Sequence, residues 1–362
     1  MLSFYYHKLV LSIILTFLLN NNKLMFSKHM SNIRDIAKKA NVSIATVSRI
    51  LNNDPSFKAS ESTKKAIYKA IRDLNYKPVK KTKMTNIGCI MSIGSEKYED
   101  PFFTTILAAC ETEAEKNNII ISQVRHYSEL KNELVFNEFI NSKLKGLIIM
   151  EKLPADMLNA IKEKIPNIVY VDNDESAEEI NTIGFDHRIA NINAFTYLIE
   201  NGYKRIGIIG ESSPVTILED SIRMSAYREV LRKNNIKYDP SIIKDCKCDV
   251  NICIKQAGEL MSMKNPPDVL FVGSDTLASA VIAELKRLGY DCPKDVGVMG
   301  FNNLAISTHT NPSLTTVDIP MVNIGERTVK RLIEIMDKKD KDNLKILFPT
   351  KIIERESTRR IK

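Results

Sequence analysis

The segment NVSIATVSRILN, residues 41–52, carries short hydroxyl side chains and an arginine at helical spacing. At that spacing, Val47, Ile50 and Leu51 share one helical face and predict contact with a core. The opposite face is small and polar, with one aliphatic side chain: Ile44, Ala45, Ser48, Arg49 and Asn52. Hydroxyls and a guanidinium on an outer face can donate hydrogen bonds to an anionic partner. A surface helical hairpin with solvated charges is the alternative interpretation.

Two further helices are predicted around this segment. Asn32 caps the first, and Asn41 follows it as the residue best able to take the left-handed backbone of a sharp turn. Ser43 caps the second helix, and a third runs from about Glu61 to Asn75. Three short helices around a small core predict a helix-turn-helix domain whose second helix enters the DNA major groove.

The charge distribution agrees with a partner that carries phosphates. Residues 30–85 contain thirteen Lys/Arg against four Asp/Glu, whereas the chain from residue 86 onward contains 36 against 40. A basic module before a mildly acidic body indicates that one module binds nucleic acid and the other does not. The 362 residues, 44% apolar and 27% charged, are typical of a globular protein of two or three domains.

The chain begins with an apolar run, LVLSIILTFLL, at residues 9–19. Eleven residues are too few for a usual membrane span but are close to the length of the apolar region of a signal peptide. No small-residue cleavage site follows. A signal peptide, a membrane tether and a start codon assigned too early are the three explanations, and the last places the first residue at Met25 or Met30.

The stretch NIRDIAKKANVSIATVSRILNNDPSFKASESTKKAIYKAIRDLNYKP resembles the DNA-binding domain of the LacI/GalR repressor family, whose members share D-[IV]-A-x-x-A-x-V-S-x-x-T-V-S-R-x-L-N. The resemblance implies base contacts by one set of side chains and phosphate contacts by another: Ile44, Ala45 and Arg49 for bases, and Ser43, Thr46 and Ser48 for phosphates. Arginine can bind guanine O6 and N7 together. Because such a domain acts in the cytoplasm, we expect residues 1–29 to be a misassigned start or a disordered leader.

The linker departs from that family. Most members have a hinge helix of the type N-A-x-A-R-x-L, whereas YKPVKKTKMTNIG leads almost directly into a predicted strand. Lys80 and Lys81 can contribute electrostatic phosphate contacts instead. A solvated basic linker is the alternative. The short lysine-rich linker, with NNDPSF and DPFF, resembles a galactoside-responsive branch of the family.

Short apolar segments alternate with amphipathic helices from residue 86 onward, and the segments are NIGCIMS, IIISQV, KGLIIM, NIVYVD, RIGIIG, VLFVGSD and VGVMGF. Apolar strands joined by helices predict parallel sheets covered on both faces, and this length favours two such subdomains. Polar side chains end three of the segments: Asp172, Ser274, Asp275, Asn302 and Asn303. Since open α/β sheets bind ligands beyond the carboxyl ends of their strands, these side chains predict a site for hydroxyl groups. Helix capping is the alternative for Asp172 and Asp275.

This body resembles the effector domain of the same family, which is similar to periplasmic sugar-binding proteins. The resemblance implies ligand contacts by Asp172, Arg223, Ser274 and Asn302. It also places Pro101, Phe102 and Phe103 at the lip of the pocket, where an aromatic face can cover a sugar. Ser274 replaces the Asn and Asn302 the Asp that many members have, so the identity of the ligand does not follow from the resemblance. A surface ion pair is the alternative role for Arg223.

Catalysis and metal binding are not expected. Six cysteines without regular spacing indicate reduced thiols, and Cys246, Cys248 and Cys253 have no fourth ligand nearby. His187 and His309 are expected to be surface or loop residues. No cofactor is predicted. An exported or membrane-tethered sugar-binding protein is the alternative class, but it would have no use for the basic helical domain.

The predicted organisation is therefore a small all-α helix-turn-helix domain at 30–79, a basic linker at 80–85, and an α/β periplasmic-binding-protein-like effector and dimerisation domain at 86–362. We expect a homodimer that binds a two-fold-related operator on double-stranded DNA. A small sugar would close two doubly wound parallel-sheet subdomains, crossed by strands near 185, 317 and 346, and thereby change the spacing of the DNA-binding domains.

Overall fold

The computed structural model of the chain describes residues 32–51, 57–76, 84–91, 101–150, 153–172, 180–210, 217–338 and 342–360. The chain divides into two compact units, Met1–Thr82 (unit 1) and Lys83–Lys362 (unit 2). The predicted leader and the linker residues Lys80 and Lys81 lie outside the described residues. Within the described part of the chain, no helix is long and apolar enough to cross a membrane.

Unit 1 contains three helices: α1 (Ile33–Ala40), α2 (Ile44–Leu51) and α3 (Glu61–Asp73). Asn32 and Asp35 form a capping box at the start of α1, as the side chain of each accepts from the backbone N–H of the other. Asn41 ends α1 with φ 51° and ψ 49°, so the predicted left-handed turn is confirmed. The helices share a small buried core: Ile36, Ala37, Val47, Ile50, Ile67 and Ala70.

Unit 2 begins with a six-stranded parallel sheet in the order β11-β5-β4-β3-β1-β2. Its strands are β1 (Thr85–Met91), β2 (Ile119–His126), β3 (Gly146–Met150), β4 (Ile168–Val171), β5 (Asn181–Phe185) and β11 (Lys345–Phe348). The helices that cover it are α4 (Pro101–Lys116), α5 (Tyr127–Leu130), α6 (Glu133–Ile140), α7 (Ala155–Lys164) and α12 (Met321–Met336). Strand β3 is buried along its whole length, as expected for a strand covered on both faces.

The second sheet of unit 2 has four parallel strands in the order β7-β6-β8-β9. These are β6 (Ile206–Gly210), β7 (Ile243–Asp245), β8 (Val269–Val272) and β9 (Gly297–Met299). Its helices are α8 (His187–Glu200), α9 (Ile222–Lys233), α10 (Val250–Met261) and α11 (Asp275–Arg287). Because side chains alternate along a strand, Phe271 and Leu270 of β8 enter different cores on the two faces of this sheet.

The chain passes between the two sheets three times within the described residues. The first crossing joins β5 to α8, and the second joins β10 (Thr316–Asp318) to α12. The third joins β11 to β12 (Lys351–Ile353), which pairs antiparallel with β10. These crossings lie at the positions expected near 185, 317 and 346. The two parallel sheets and the separate helical unit confirm the predicted fold class.

Candidate DNA-binding and ligand-binding sites

Helix α2 presents an outer face to solvent. Ile44 is 47% exposed, Ala45 and Arg49 are also exposed, and Ser48 is half-buried. The Arg49 guanidinium carbon lies 5.3 Å from the centre of the Phe57 ring, an aromatic contact that restricts the arginine side chain. The structure therefore places the three predicted base-contacting residues together on the exposed surface of one short helix.

The two predicted phosphate-binding hydroxyls at the start of α2 contact each other. The Thr46 N–H donates to Ser43 Oγ at 3.1 Å, and the two hydroxyl oxygens are 2.9 Å apart. Ser43 therefore caps the helix, as expected. Since a hydroxyl oxygen has two lone pairs and one hydrogen, both residues retain capacity for a further hydrogen bond.

Asp172 follows β4 in a left-handed backbone conformation, with φ 59°. Its Oδ1 accepts a hydrogen bond from His187 Nε2 at 2.7 Å, and its side chain is 7% exposed. Helix α8 itself is capped by Asp186, whose Oδ1 accepts from the Ile189 N–H at 2.8 Å. Asp172 is therefore held at the carboxyl end of the first sheet by the first residue of α8.

Arg223 approaches from the second sheet. It is the second residue of α9, and its guanidinium carbon lies 5.5 Å from the centre of the Phe271 ring and 5.2 Å from that of Phe301. One of its nitrogens, Nη2, donates to the Gly273 carbonyl at 3.4 Å. The half-buried guanidinium thus packs on aromatic faces next to the carboxyl end of β8.

Ser274, Asp275 and Asn302 have different local roles. Ser274 caps α11 by accepting from the Leu277 N–H at 3.4 Å. Asp275 is fully buried and is the first residue of α11 rather than its cap. Asn302 has φ 103°, and its N–H donates to the Val317 carbonyl at 2.9 Å, so the ligand-side loop is attached to the second crossing.

Phe102 and Phe103 differ from expectation. They are 3% and 4% exposed and belong to the core between the sheets, with ring centres 4.9 Å apart in an edge-to-face arrangement. Helix α4 begins at Pro101, and its first turn directs both rings inward. In this structure, therefore, neither phenylalanine presents an open face at the lip of a pocket; Pro101 is exposed.

The two sheets meet through a set of ring side chains that we call the cleft cluster: Phe185, His187, Phe195, Phe271 and Phe301. Phe185 ends β5 and stacks on His187 at 4.0 Å, and it lies 6.1 Å from Phe301, which follows β9. Phe271 contacts both Phe301 and Phe195, at 6.0 and 4.7 Å. Asp172 contacts the cluster by its hydrogen bond with His187. Arg223 contacts the cluster by packing on the rings of Phe271 and Phe301.

His187, which was expected to be a surface or loop residue, is partly exposed at the start of a helix. It opens α8, 27% of its side chain is exposed, and it contacts both Asp172 and Phe185. The sequence does carry a signal for it, since FDHR directly follows an apolar segment and opens a helical pattern. A polar residue at that junction lies beside the end of the neighbouring strand.

The chain has recognisable similarity to known proteins in both units. The family described as "Bacterial regulatory proteins, lacI family" matches residues 32–79, and the "Periplasmic binding protein-like domain" matches residues 195–358. The chain is therefore similar to the lacI family of bacterial regulatory proteins in unit 1 and to periplasmic-binding-protein-like domains in unit 2. The two matched regions fall in unit 1 and unit 2 respectively, in the order expected from the sequence.

Individual relatives extend this similarity over most of the chain. The transcriptional repressor CytR of Escherichia coli K12 is 28% identical over 338 residues, which are 91% of this chain and 96% of CytR. The lac repressor dimer bound to operator and the anti-inducer ONPF has a TM-score of 0.72 at 21% identity, and the match covers 91% of this chain and 99% of that one. The CelR–cellobiose complex has a TM-score of 0.68 at 22% identity over 90% of this chain and 99% of that one. These relatives are transcriptional regulators rather than enzymes, which supports the predicted class.

The cysteines show no arrangement for metal binding. Among the described residues, no group of three or more His, Cys, Asp or Glu side chains is placed to hold a metal ion. All six cysteines are free thiols, and five are buried. Burial raises the pKa of the Cys292 thiol to about 12, which keeps it protonated at neutral pH.

Proposed function

We propose that this protein is a transcriptional repressor of the LacI family that binds a two-fold-related operator as a homodimer. The observation that carries the proposal is the outer face of α2, where Ile44, Ala45 and Arg49 are exposed next to the capped turn at Asn41. A helix that follows such a turn in a basic three-helix domain fits the major groove. Ser43, Thr46 and Ser48 would contact phosphates, and Lys80 and Lys81 would add electrostatic contacts.

The domain boundaries and location follow from the same proposal. Residues 30–79 form the DNA-binding domain, 80–85 a short basic linker, and 86–362 the effector and dimerisation domain. The protein would act in the cytoplasm. The linker lacks the hinge-helix pattern of most family members.

The effector site lies around the cleft cluster. Asp172 and Arg223 bring an acceptor and a donor to the same aromatic set from the two sheets. Ser274 and Asn302 follow β8 and β9 at the same edge. Aromatic faces and hydrogen-bonding groups together suit a sugar, whose C–H faces are apolar and whose edges carry hydroxyls. Phe185, Phe271 and Phe301 are at most 2% exposed, so a sugar would meet these faces only after the subdomains open. We propose a small saccharide, and a galactoside in particular because of the short lysine-rich linker.

Selection from random-sequence DNA followed by titration tests the DNA-binding part. Full-length protein is expected to enrich a two-fold-related site, and Arg49→Ala is expected to lose that enrichment while it retains salt-sensitive binding to random DNA. Equal enrichment by both proteins would contradict the assignment of α2 as the sequence-specific helix. A thermal-shift panel of D-galactose, methyl β-D-galactopyranoside, lactose, cellobiose, D-glucose and D-ribose tests the ligand part, because a ligand that binds the folded state raises Tm.

A further inference from the structure

A buried carboxamide lies next to the cleft cluster without a complete set of hydrogen bonds. Asn191, in α8, is 1% exposed, and its Nδ2 donates to the His187 carbonyl at 2.8 Å. That bond fixes which end of the amide is nitrogen, because a carbonyl can only accept. The other end, Oδ1, is buried and has no hydrogen-bond partner among the described residues.

Helical spacing places this carboxamide inside the cluster. His187, Asn191 and Phe195 are four residues apart and therefore share one face of α8. His187 stacks on Phe185 at one end of this face, and Phe195 contacts Phe271 at the other. Phe301 contacts both Phe185 and Phe271, so a continuous series of ring contacts runs from His187 to Phe195. Asn191 lies midway between these two residues on the same face of α8.

The polar groups around this series of rings are complementary to a hydroxyl. The Arg223 guanidinium, which can only donate, lies over Phe271 and Phe301. Asn191 Oδ1 can only accept, and a buried acceptor without a donor is costly in a folded protein. A hydroxyl can accept a hydrogen bond and donate another, whereas an ionised carboxylate has no hydrogen to donate to Asn191 Oδ1.

We propose that Asn191 is a ligand-recognition residue whose Oδ1 accepts a hydrogen bond from a hydroxyl of the effector. The inference rests on the proposed function of this site as a saccharide site, and it adds that one hydroxyl reaches past the rings to α8. The contact between Phe185 and Phe301 joins the two sheets, so opening of the subdomains separates these rings and exposes Asn191. Closure then buries the hydroxyl against it.

The test uses full-length protein with two substitutions at this position and one control. Asn191→Leu keeps the branched shape and removes both polar atoms, and Asn191→Ala removes them without added volume. Asn193→Ala is the matched control, because Asn193 lies on an exposed part of the same helix and reports the gain in helix propensity alone. Thermal unfolding is measured without ligand and with each sugar of the panel, and binding sugars are titrated calorimetrically.

We expect ligand-free Asn191→Leu to unfold at a higher temperature than wild type, since the unsatisfied acceptor is gone, and Asn191→Ala to gain more than Asn193→Ala. The Kd of the binding sugar is expected to rise about tenfold or more in both Asn191 variants and to stay unchanged in Asn193→Ala. One monodeoxy analogue of that sugar should bind wild type as weakly as Asn191→Leu binds the parent, with no further loss when the two changes are combined.

Three outcomes would overturn the proposal. Wild-type Kd in both Asn191 variants would leave the saccharide site standing and remove Asn191 from it. A lower ligand-free unfolding temperature for both variants would mean that the carboxamide has a structural partner. Failure of every panel sugar to stabilise wild type would reject the saccharide function and this contact with it, while operator binding could still be intact.

Discussion

Replacing Asp275 by asparagine tests whether a buried carboxyl group holds a proton in the folded protein near neutral pH. Asp275 is 0% exposed, and its two oxygens accept from the Leu304 N–H and the Thr316 hydroxyl, each at 2.6 Å. Burial raises the pKa of Asp275 from 3.8 to about 7, against the lowering effect of these donors and of Arg355. Asparagine has the same shape and resembles the protonated acid.

The sign and size of the effect follow from linkage. Between about pH 4 and pH 7 the folded protein keeps the proton on Asp275 while the unfolded chain loses it, so stability falls as pH rises through this window. Above pH 7 both states are ionised and the effect is constant. A difference of about three pKa units corresponds to about 4 kcal/mol of unfolding free energy, which is an upper bound because the folded site can relax.

Urea unfolding of the full chain at pH 5 and pH 8, followed by far-UV circular dichroism, measures this effect; the chain contains no tryptophan for fluorescence. At pH 5, about one unit above the pKa of the unfolded carboxyl, we expect Asp275→Asn to be more stable than wild type by up to about 1.6 kcal/mol, and at pH 8 by up to about 4 kcal/mol. Asp156→Asn makes the same charge change at an exposed position of α7 and is expected to show no such dependence.

A constant difference between wild type and Asp275→Asn at the two pH values would refute the reasoning. A variant less stable at both would show that the carboxylate is charged and satisfied in the folded state. The donors from Leu304 and Thr316, together with Arg355, would then outweigh the cost of burial.

Three further predictions concern the leader, the DNA-binding surface and the effector site. Protein that begins at Met30 should be soluble and bind operator as tightly as the full chain, because α1 begins at Ile33; loss of binding in a filter or anisotropy assay would contradict this. Arg49→Ala should cost about 1 to 3 kcal/mol of binding free energy at the operator and relax the preference at one base pair. Lys81→Ala should weaken binding to all DNA sequences alike and reduce the dependence of affinity on salt concentration. Equal effects of both substitutions on specific and random DNA would remove Arg49 from base recognition. Arg223→Ala should abolish the response to sugar and leave the operator affinity without sugar unchanged, since a charged group that bonds a buried hydroxyl contributes about 1.5 to 3 kcal/mol. A wild-type midpoint in a sugar titration of the operator complex would exclude a contact between Arg223 and the sugar.

Local patterns predicted the elements that depend on few neighbours. The capping box at Asn32 and the left-handed Asn41 are decided within one turn of α1, and the structure has both. The seven apolar segments all contain strands, because burial on both faces requires continuous apolar sequence. Strands β7 and β12 have three residues each and were not among the predicted segments. They exist because they pair with segments distant in the sequence, as β12 does with β10.

Side-chain environments at the site depend on how the sheets meet, which periodicity does not specify. The residues after strands β4 and β8 were predictable as polar, because the carboxyl ends of parallel strands share one edge. The orientation of the first turn of α4 was not predictable, and Phe102 and Phe103 are buried in the core. Helix α12 approaches α4 closely at Gly325, where a Cβ would lie 2.6 Å from the Ile106 carbonyl oxygen. Asn191 shows the same dependence on tertiary contacts. An asparagine within a helix is ordinarily solvated, and this one is 1% exposed in a helix whose neighbouring residues His187 and Phe195 contact rings of the cleft cluster.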